Sequence, residues 1–499
     1  MTALRALVLS ALLLGTSLDA QKDLVATPTA PMGWNSWDAY GLTITEPQFR
    51  DNVKVLHEKL QPFGYKYAVI DEGWFFENPQ DRETPDKLRY AIDGNGRYIP
   101  TALRFRSAGD REQSLMILGA REGEPSPKLA ARIQFSGLYA GFKPLADFVH
   151  AQGLLFGIHI VRGIPRASVE RNLPIANSKF TTTEAADTTD ACPWDPTNWG
   201  VKDTPAGQAW YDSLITQYAA WGIDLLKVDC ISDHPYRADE IRMIRRAIDK
   251  VGDKTGRPMV LSLSPGPTNP SHAQEVASLS TMWRISNDVW DLWQGGGGAK
   301  YDGFPQSIKG QFDHAAQWAA LDIPAGHYPD LDMLPFGELG PVPGWGKPRQ
   351  TRLTPDEERT LLTLWAMMRS PLILGANLTL LDDETLKLLT NKDLIALDQY
   401  GTGGGRMVPP VENYDERLPK LSPDLQVWGS TIQRADQPVS HAVAIFNLGD
   451  HPTAVGKATT LLPSSSLKKG SIPRDSWTGE PILASTKVPA HGCILAIGN

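Results

Sequence analysis

Residues 221–230 read WGIDLLKVDC, an apolar, strand-like run that closes on two ionisable residues, Lys227 and Asp229. Outward from it, seven more short apolar runs alternate with longer stretches of helical periodicity. They are PMGWNSW (31–37), YKYAVID (65–71), LLFGIHI (154–160), MVLSLS (259–264), MWRISND (282–288), PAGHYPD (324–330) and PLILGA (371–376). The spacing predicts helices over 138–152, 206–221, 238–251, 306–321 and 356–368. Strands alternating with helices make a parallel sheet with crossover helices, and eight such repeats closing on themselves make a (β/α)8 TIM barrel. Sites in that fold form where strands end and loops begin, and the two long loops expected here, 75–137 and 164–205, both follow strand ends. Beyond Gly401–Gly405 the helical pattern stops. Short alternating runs such as LQVWGSTI (425–432) and HAVAIFN (441–447) predict a C-terminal antiparallel β-sandwich domain. The expected division is a signal peptide at 1–20, the catalytic barrel at 21–404 and the β-domain at 405–499.

Composition agrees with a soluble two-domain protein. The 499 residues are 41% hydrophobic and 21% charged, with 44 Gly and 39 Pro to supply turns, which excludes collagen, coiled coil and a polytopic membrane protein. A net charge of −8 provides no basic field to gather polyanions, so nucleic acid is not an expected partner. Residues 1–20 carry Arg5, an apolar run and Leu18-Asp19-Ala20, the pattern of a cleaved export signal. The apolar run is too short for a membrane anchor. A secreted or periplasmic chain starting at Gln21, with no membrane association after cleavage, is therefore expected. Its three cysteines, Cys192, Cys230 and Cys493, show no metal-site spacing, and no H-E-x-x-H or phosphate-loop motif is present. Neither a metal nor a cofactor is expected. Asn377-Leu378-Thr379, a formal glycosylation triplet, reads as structural.

The candidate chemistry lies at the strand ends. Asp71 and Glu72 close the second run, His159 and Arg162 the third, Lys227 and Asp229 the fourth, and Arg284 and Asp288 the sixth, while Asp330 and Asp332 follow the seventh. One such residue is a helix cap or a surface ion pair; five strands ending alike point to a site. Carboxylates on different strands across a barrel mouth suit glycoside hydrolysis, in which one attacks and another protonates the leaving oxygen. Eight of the nearby tryptophans, Trp34, Trp37, Trp74, Trp194, Trp199, Trp283, Trp290 and Trp293, offer faces on which a sugar can stack.

PMGWNSW, IDEGW, FGIHI, WGIDLLKVD, WRISND, PDLDML and SPLILGANL, in order at strand ends, resemble glycoside hydrolase family 27, the α-galactosidase and α-N-acetylgalactosaminidase family. DSWTGE (475–480) and VPAHGCILAIG (488–498) resemble its terminal β-domain. The resemblance makes Asp229 the nucleophile and Asp288 the acid/base of a retaining mechanism. Lys227 and Arg284 are implied to bind ring hydroxyls, Asp71 and Glu72 to hold the 4- and 6-hydroxyls, Trp34 to lie below the sugar and Asp332 to line the pocket wall.

Three departures from the family pattern bear on the sugar more than on the chemistry. Asp71-Glu72-Gly73 stands where Asp-Asp-Cys is usual, and Ser264-Pro265-Gly266-Pro267 replaces a Cys-Glu-Trp type triplet beside the 2-substituent. Cys230 follows Asp229 by one residue rather than two, with Cys192 its only plausible partner, either in a disulfide or as a second buried thiol. The implied activity is hydrolysis of terminal α-D-galactosides from an oligosaccharide, polysaccharide or glycoconjugate. β-L-Arabinopyranosidase and α-N-acetylgalactosaminidase activities on the same site are the alternatives, and a non-catalytic carbohydrate-binding protein is the rival of another class.

Overall fold

The computed structural model describes residues 26–81, 88–109, 115–118, 140–195, 197–233, 235–295, 305–340, 347–408, 418–463 and 472–498. The expected export signal lies outside these residues. Eight parallel strands form the central sheet: β1 (Met32–Asn35), β2 (Tyr67–Ile70), β3 (Leu155–Val161), β4 (Leu225–Asp229), β5 (Val260–Leu263), β6 (Met282–Arg284), β7 (Tyr328–Asp330) and β8 (Leu372–Leu374). Their spatial order is β7-β6-β5-β4-β3-β2-β1-β8, sequential apart from the wrap of β8 onto β1. Closure comes from Leu334, just beyond β7. Its N–H donates to Ile373 O (2.8 Å) and its carbonyl accepts from Gly375 N (3.2 Å), so the sheet curls into a barrel.

Helices α1 (Glu46–Val55), α2 (Lys143–Ala151), α3 (Pro205–Trp221), α4 (Ala238–Thr255), α5 (Ala273–Leu279), α6 (Ile308–Ala319) and α7 (Pro355–Met368) separate successive strands. Local chemistry sets their ends. Thr204 accepts from Gly207 N with Pro205 in the first turn of α3, and Gly222, at φ +89°, ends that helix in a left-handed conformation before the chain turns into β4. Thr354 and Glu357 cap each other's backbone at the start of α7. No helix among the described residues is long and apolar enough to cross a membrane.

The C-terminal sheet is antiparallel, in the order β9 (Gly401–Arg406), β10 (Leu425–Ile432), β11 (Ser440–Asn447), β12 (Cys493–Gly498). Its faces divide by period two. Trp428, Ala444, Phe446 and Leu495 join the barrel core, where Phe312 of α6 meets Phe446 at 5.0 Å and Trp428 at 6.2 Å between ring centroids. Val427, Val443, Ile445 and Ile494 face the other way, into a separate cluster with Val488 and Ile482. Asn377, of the glycosylation-like triplet, accepts from the Thr379 backbone and hydroxyl and caps a 3-10 turn.

Candidate active site

Alternation along the strands builds the pocket in layers. On β4, Leu226 and Val228 pack outward against the helix layer. Leu225 turns inward and meets Val260, Met282 and Tyr328 in an apolar plug. One pleat further along, Lys227 lies in register with His159 of β3 and Ser262 of β5, and Arg284 with Asp330. These residues form a polar layer above the plug, and the cavity over it is lined by Asn35, Lys227, Ser262, Arg284, Asp330 and Asp332.

Asp71 is the hub of one side. Its Oδ2 accepts from Asn35 Nδ2 (2.7 Å) and Lys227 Nζ (3.1 Å), and its Oδ1 from His159 Nδ1 (2.6 Å) and Glu72 N (2.9 Å). Burial alone would raise its pKa, but His159 and Lys227 outweigh it and hold the carboxyl far below the ordinary range. Burial likewise opposes the charge on Lys227, and Asp71 and Asp332 overcome it, so the ammonium is held above its usual value.

Arg284 is the hub of the other side. It is buried, pairs with Asp332 Oδ1 (2.7 Å) and Asp288 Oδ1 (3.2 Å), and donates to Ser286 O (3.1 Å). Asp332, at φ +88°, also accepts from Val289 N (2.7 Å). Burial pushes Asp332 up to about 7 against the pull of Arg284, with Asp288 and Asp330 adding repulsion. Behind this group the buried Asp38 is raised well above the ordinary carboxylate range, first by desolvation and then by Asp332. Asp288 stands at the opening with its side chain 39% exposed, while Asp332 is enclosed at 4%.

Asp229 ends β4. Its Oδ2 accepts from Trp194 Nε1 (3.1 Å), and its Oδ1 is buried without a hydrogen-bond partner among the described residues. Trp194 arrives on a loop that is stapled to the strand end by a disulfide between Cys192 and Cys230, with Cα atoms 5.9 Å apart. Glu72, also buried, places a carboxylate oxygen within 4.8 Å of one from Asp229 and of a His159 ring nitrogen. In the 264–267 loop, a Cβ on Gly266 would stand 2.3 Å from Ser286 O, so only glycine permits the approach of this loop to the end of β6.

The structure thus brings together Asp71, Glu72, Lys227, Asp229, Arg284, Asp288 and Asp332. It does not bring Trp34 with them. Asn35 takes the inward face of β1, which turns Trp34 to the helix layer, fully buried against Phe49 (5.7 Å) and donating its indole N–H to Ala376 O. Trp74 and Trp283 are also fully buried in the core, and Trp293 stacks on His491 of the β-domain at 4.3 Å. The tryptophans are therefore mostly packing rather than sugar platforms. Arg162 points away from the mouth as well. It binds Cys230 O (2.6 Å), Asp190 (2.8 Å) and Glu240 (2.7 Å), and so braces the loop that carries Trp194. Asn35 and Ser262 were missed by the strand-end criterion because neither is ionisable.

A family model described as alpha galactosidase A matches residues 198–400. Alpha-galactosidase A of Cellvibrio japonicus is 27% identical, covering 98% of this chain and 96% of its own. A rice α-galactosidase is 24% identical over 93% of this chain and 83% of its own. Among solved structures, a family 27 β-L-arabinopyranosidase from Geobacillus stearothermophilus is 34% identical, covers 94% of this chain and 96% of its own, and superposes with a TM-score of 0.73. A substituted form of that enzyme in complex with arabinose superposes with a TM-score of 0.74.

Proposed function

Because this chain belongs to glycoside hydrolase family 27 and is a glycosidase by that membership, we propose that it is a retaining exo-hydrolase of terminal galacto-configured pyranosides. The observation that carries this reading is the placement of Asp229 two residues after Lys227 and of Asp288 against Arg284, the two cations that line one cavity, with Asp229 half-buried beside Trp194 and the Asp288 side chain 39% exposed. In the first step Asp229 Oδ1 attacks the anomeric carbon while Asp288 gives its proton to the leaving oxygen. The bond to the aglycone breaks and a glycosyl ester on Asp229 forms. Asp288, now ionised, takes a proton from a water that attacks the same carbon, the ester breaks, and two inversions leave the configuration retained. Its exposure suits a group that must exchange a proton and admit that water. Lys227 and Arg284 hold ring hydroxyls within the polar layer, and Asp71 orients Lys227.

Within the galacto series the reading favours β-L-arabinopyranosides, which are α-D-galactopyranosides without the C6 group. Glu72 extends one methylene further than the usual Asp and has a carboxylate oxygen within 4.8 Å of one from Asp229, and the added length supports a pocket with less room for C6. The 34% identity to an arabinopyranosidase supports the same preference. α-D-Galactosides are the second reading, supported by the full-length likeness to a curated α-galactosidase. Side-by-side kcat/KM values on 4-nitrophenyl α-D-galactoside, β-L-arabinopyranoside and α-N-acetylgalactosaminide test the choice, with NMR of the first-formed anomer testing retention. A higher kcat/KM on either hexoside would reject the pentoside preference, and an inverted anomer would reject the mechanism. Export, also part of this proposal, predicts secreted protein beginning at or near Gln21, which N-terminal sequencing reads directly; an intact Met1 in the exported chain would reject it.

A further inference from the structure

We propose that Glu72, His159 and Asp229 form a binding site for a transition-metal dication, with Zn2+ the probe of choice, and that the ion occupying it excludes the sugar. One oxygen of each carboxylate and one ring nitrogen of His159 all lie within 4.8 Å of one another. They come from the ends of three adjacent strands, β2, β3 and β4, so the barrel sheet itself holds them together.

The hydrogen bonding around His159 prepares it as a ligand. Its Nδ1 lies 2.6 Å from Asp71 Oδ1, and in a neutral ring that hydrogen bond to a carboxylate places the proton on Nδ1. The other nitrogen, Nε2, then presents a lone pair. It is buried, in a residue only 4% exposed, and has no hydrogen-bond partner among the described residues. A carboxylate that fixes the tautomer of an imidazole and raises its basicity is the arrangement that supports metal-ligating histidines in general. Asp229 complements it. Trp194 occupies Oδ2, while Oδ1 is buried with no partner among the described residues. To reach the ligand distances of about 2.0–2.2 Å that zinc requires, the three side chains must close on the ion.

Ligand chemistry then selects the ion. One imidazole and two carboxylates suit Zn2+, Cu2+ or Ni2+, whereas Ca2+ and Mg2+ prefer all-oxygen shells that this pocket does not offer. Two carboxylates balance a dication, and the nearby Lys227 and Arg284 temper the affinity by repulsion. The exclusion of sugar rests on the proposed role of Asp229, because the ion takes the oxygen that otherwise attacks the anomeric carbon.

The test uses untagged, chelator-treated full-length protein with zinc alone. Calorimetric titration should show one site per chain, and His159→Ala and Glu72→Gln should each weaken it by roughly 10-fold or more, with circular dichroism confirming that both variants fold. In parallel, zinc should raise KM for the best nitrophenyl glycoside without changing kcat, and a chelator should reverse it. Zinc binding that both folded variants retain, or none at millimolar zinc, overturns the site and leaves the glycosidase reading standing. Binding lost in the variants but without effect on KM upholds the site, overturns the exclusion of the sugar and counts against Asp229 as the nucleophile.

Discussion

Trp194 donates its indole N–H to Asp229 Oδ2 at 3.1 Å, across 35 residues of sequence, from a loop whose Cys192 is bonded to the residue following Asp229. Arg162 reinforces the same junction by holding Cys230 O and Asp190 together. The carboxylate proposed as nucleophile is thus aimed by its own strand on one side and by a stapled loop on the other. A hydrogen bond to a charged group is worth about 1.5–3 kcal/mol. Trp194→Phe, which keeps the ring and removes the donor, should therefore lower kcat/KM by about 10-fold or more while thermal stability changes little. An unchanged kcat/KM would show that the contact does not orient Asp229 during turnover.

The two proposed catalytic carboxylates should respond differently to the leaving group. Asp229→Ala removes the nucleophile and should abolish hydrolysis of every glycoside, with a cooperative unfolding transition preserved. Asp288→Ala removes only proton donation in the first step, which matters least when the leaving group is already acidic. Loss on natural glycosides should far exceed loss on nitrophenyl ones in single-turnover assays; equal losses would assign Asp288 another role.

Glu72 should control the sugar. Shortening it by one methylene in Glu72→Asp opens the space beside C6, and pocket discrimination of one methylene is worth roughly 1–3 kcal/mol. The ratio of α-galactosidase to β-L-arabinopyranosidase kcat/KM should rise on the order of 10-fold or more. A ratio that falls or stays constant would mean that Glu72 does not border C6.

Asp71 should govern acid stability. Its folded pKa is depressed below the ordinary 3.8, so the folded state binds fewer protons than the unfolded one across that range. The contribution is complete above about pH 5, begins to fall below the ordinary carboxylate value and is gone only once the pH is below the depressed folded value. Asp71→Asn should be less stable than the parent at pH 7, and the gap in urea-unfolding midpoints should hold down to about pH 4 and begin to narrow only below it. A gap independent of pH would show that the Asp71 charge is not what stabilises the cluster.

The thiol count gives a further check. With Cys192 and Cys230 bonded and Cys493 free and buried, denatured, unreduced protein should expose one reactive thiol. Three would mean that the loop carrying Trp194 is not stapled, and its hold on Asp229 would have to come from Arg162 and Asp190.

The barrel and most of its site were legible in the residue order because both are local patterns. Each strand carries its own apolar run, and a charged residue closing such a run, as in Lys227-Val228-Asp229, costs too much to bury without a reason. Which face a side chain takes is another matter. Trp34 and Asn35 are neighbours on a four-residue strand, and a shift of one pleat would have exchanged them; packing of α1 through Phe49 decided that the indole goes outward and the amide inward. Likewise nothing within FGIHI states that His159 will meet Asp71, 88 residues away, place a ring nitrogen within 4.8 Å of carboxylate oxygens of Glu72 and Asp229, and leave Nε2 without a partner among the described residues. Such contacts are decided by the closure of the sheet and by the paths of long loops, because they join side chains that only the curled barrel brings within hydrogen-bonding range.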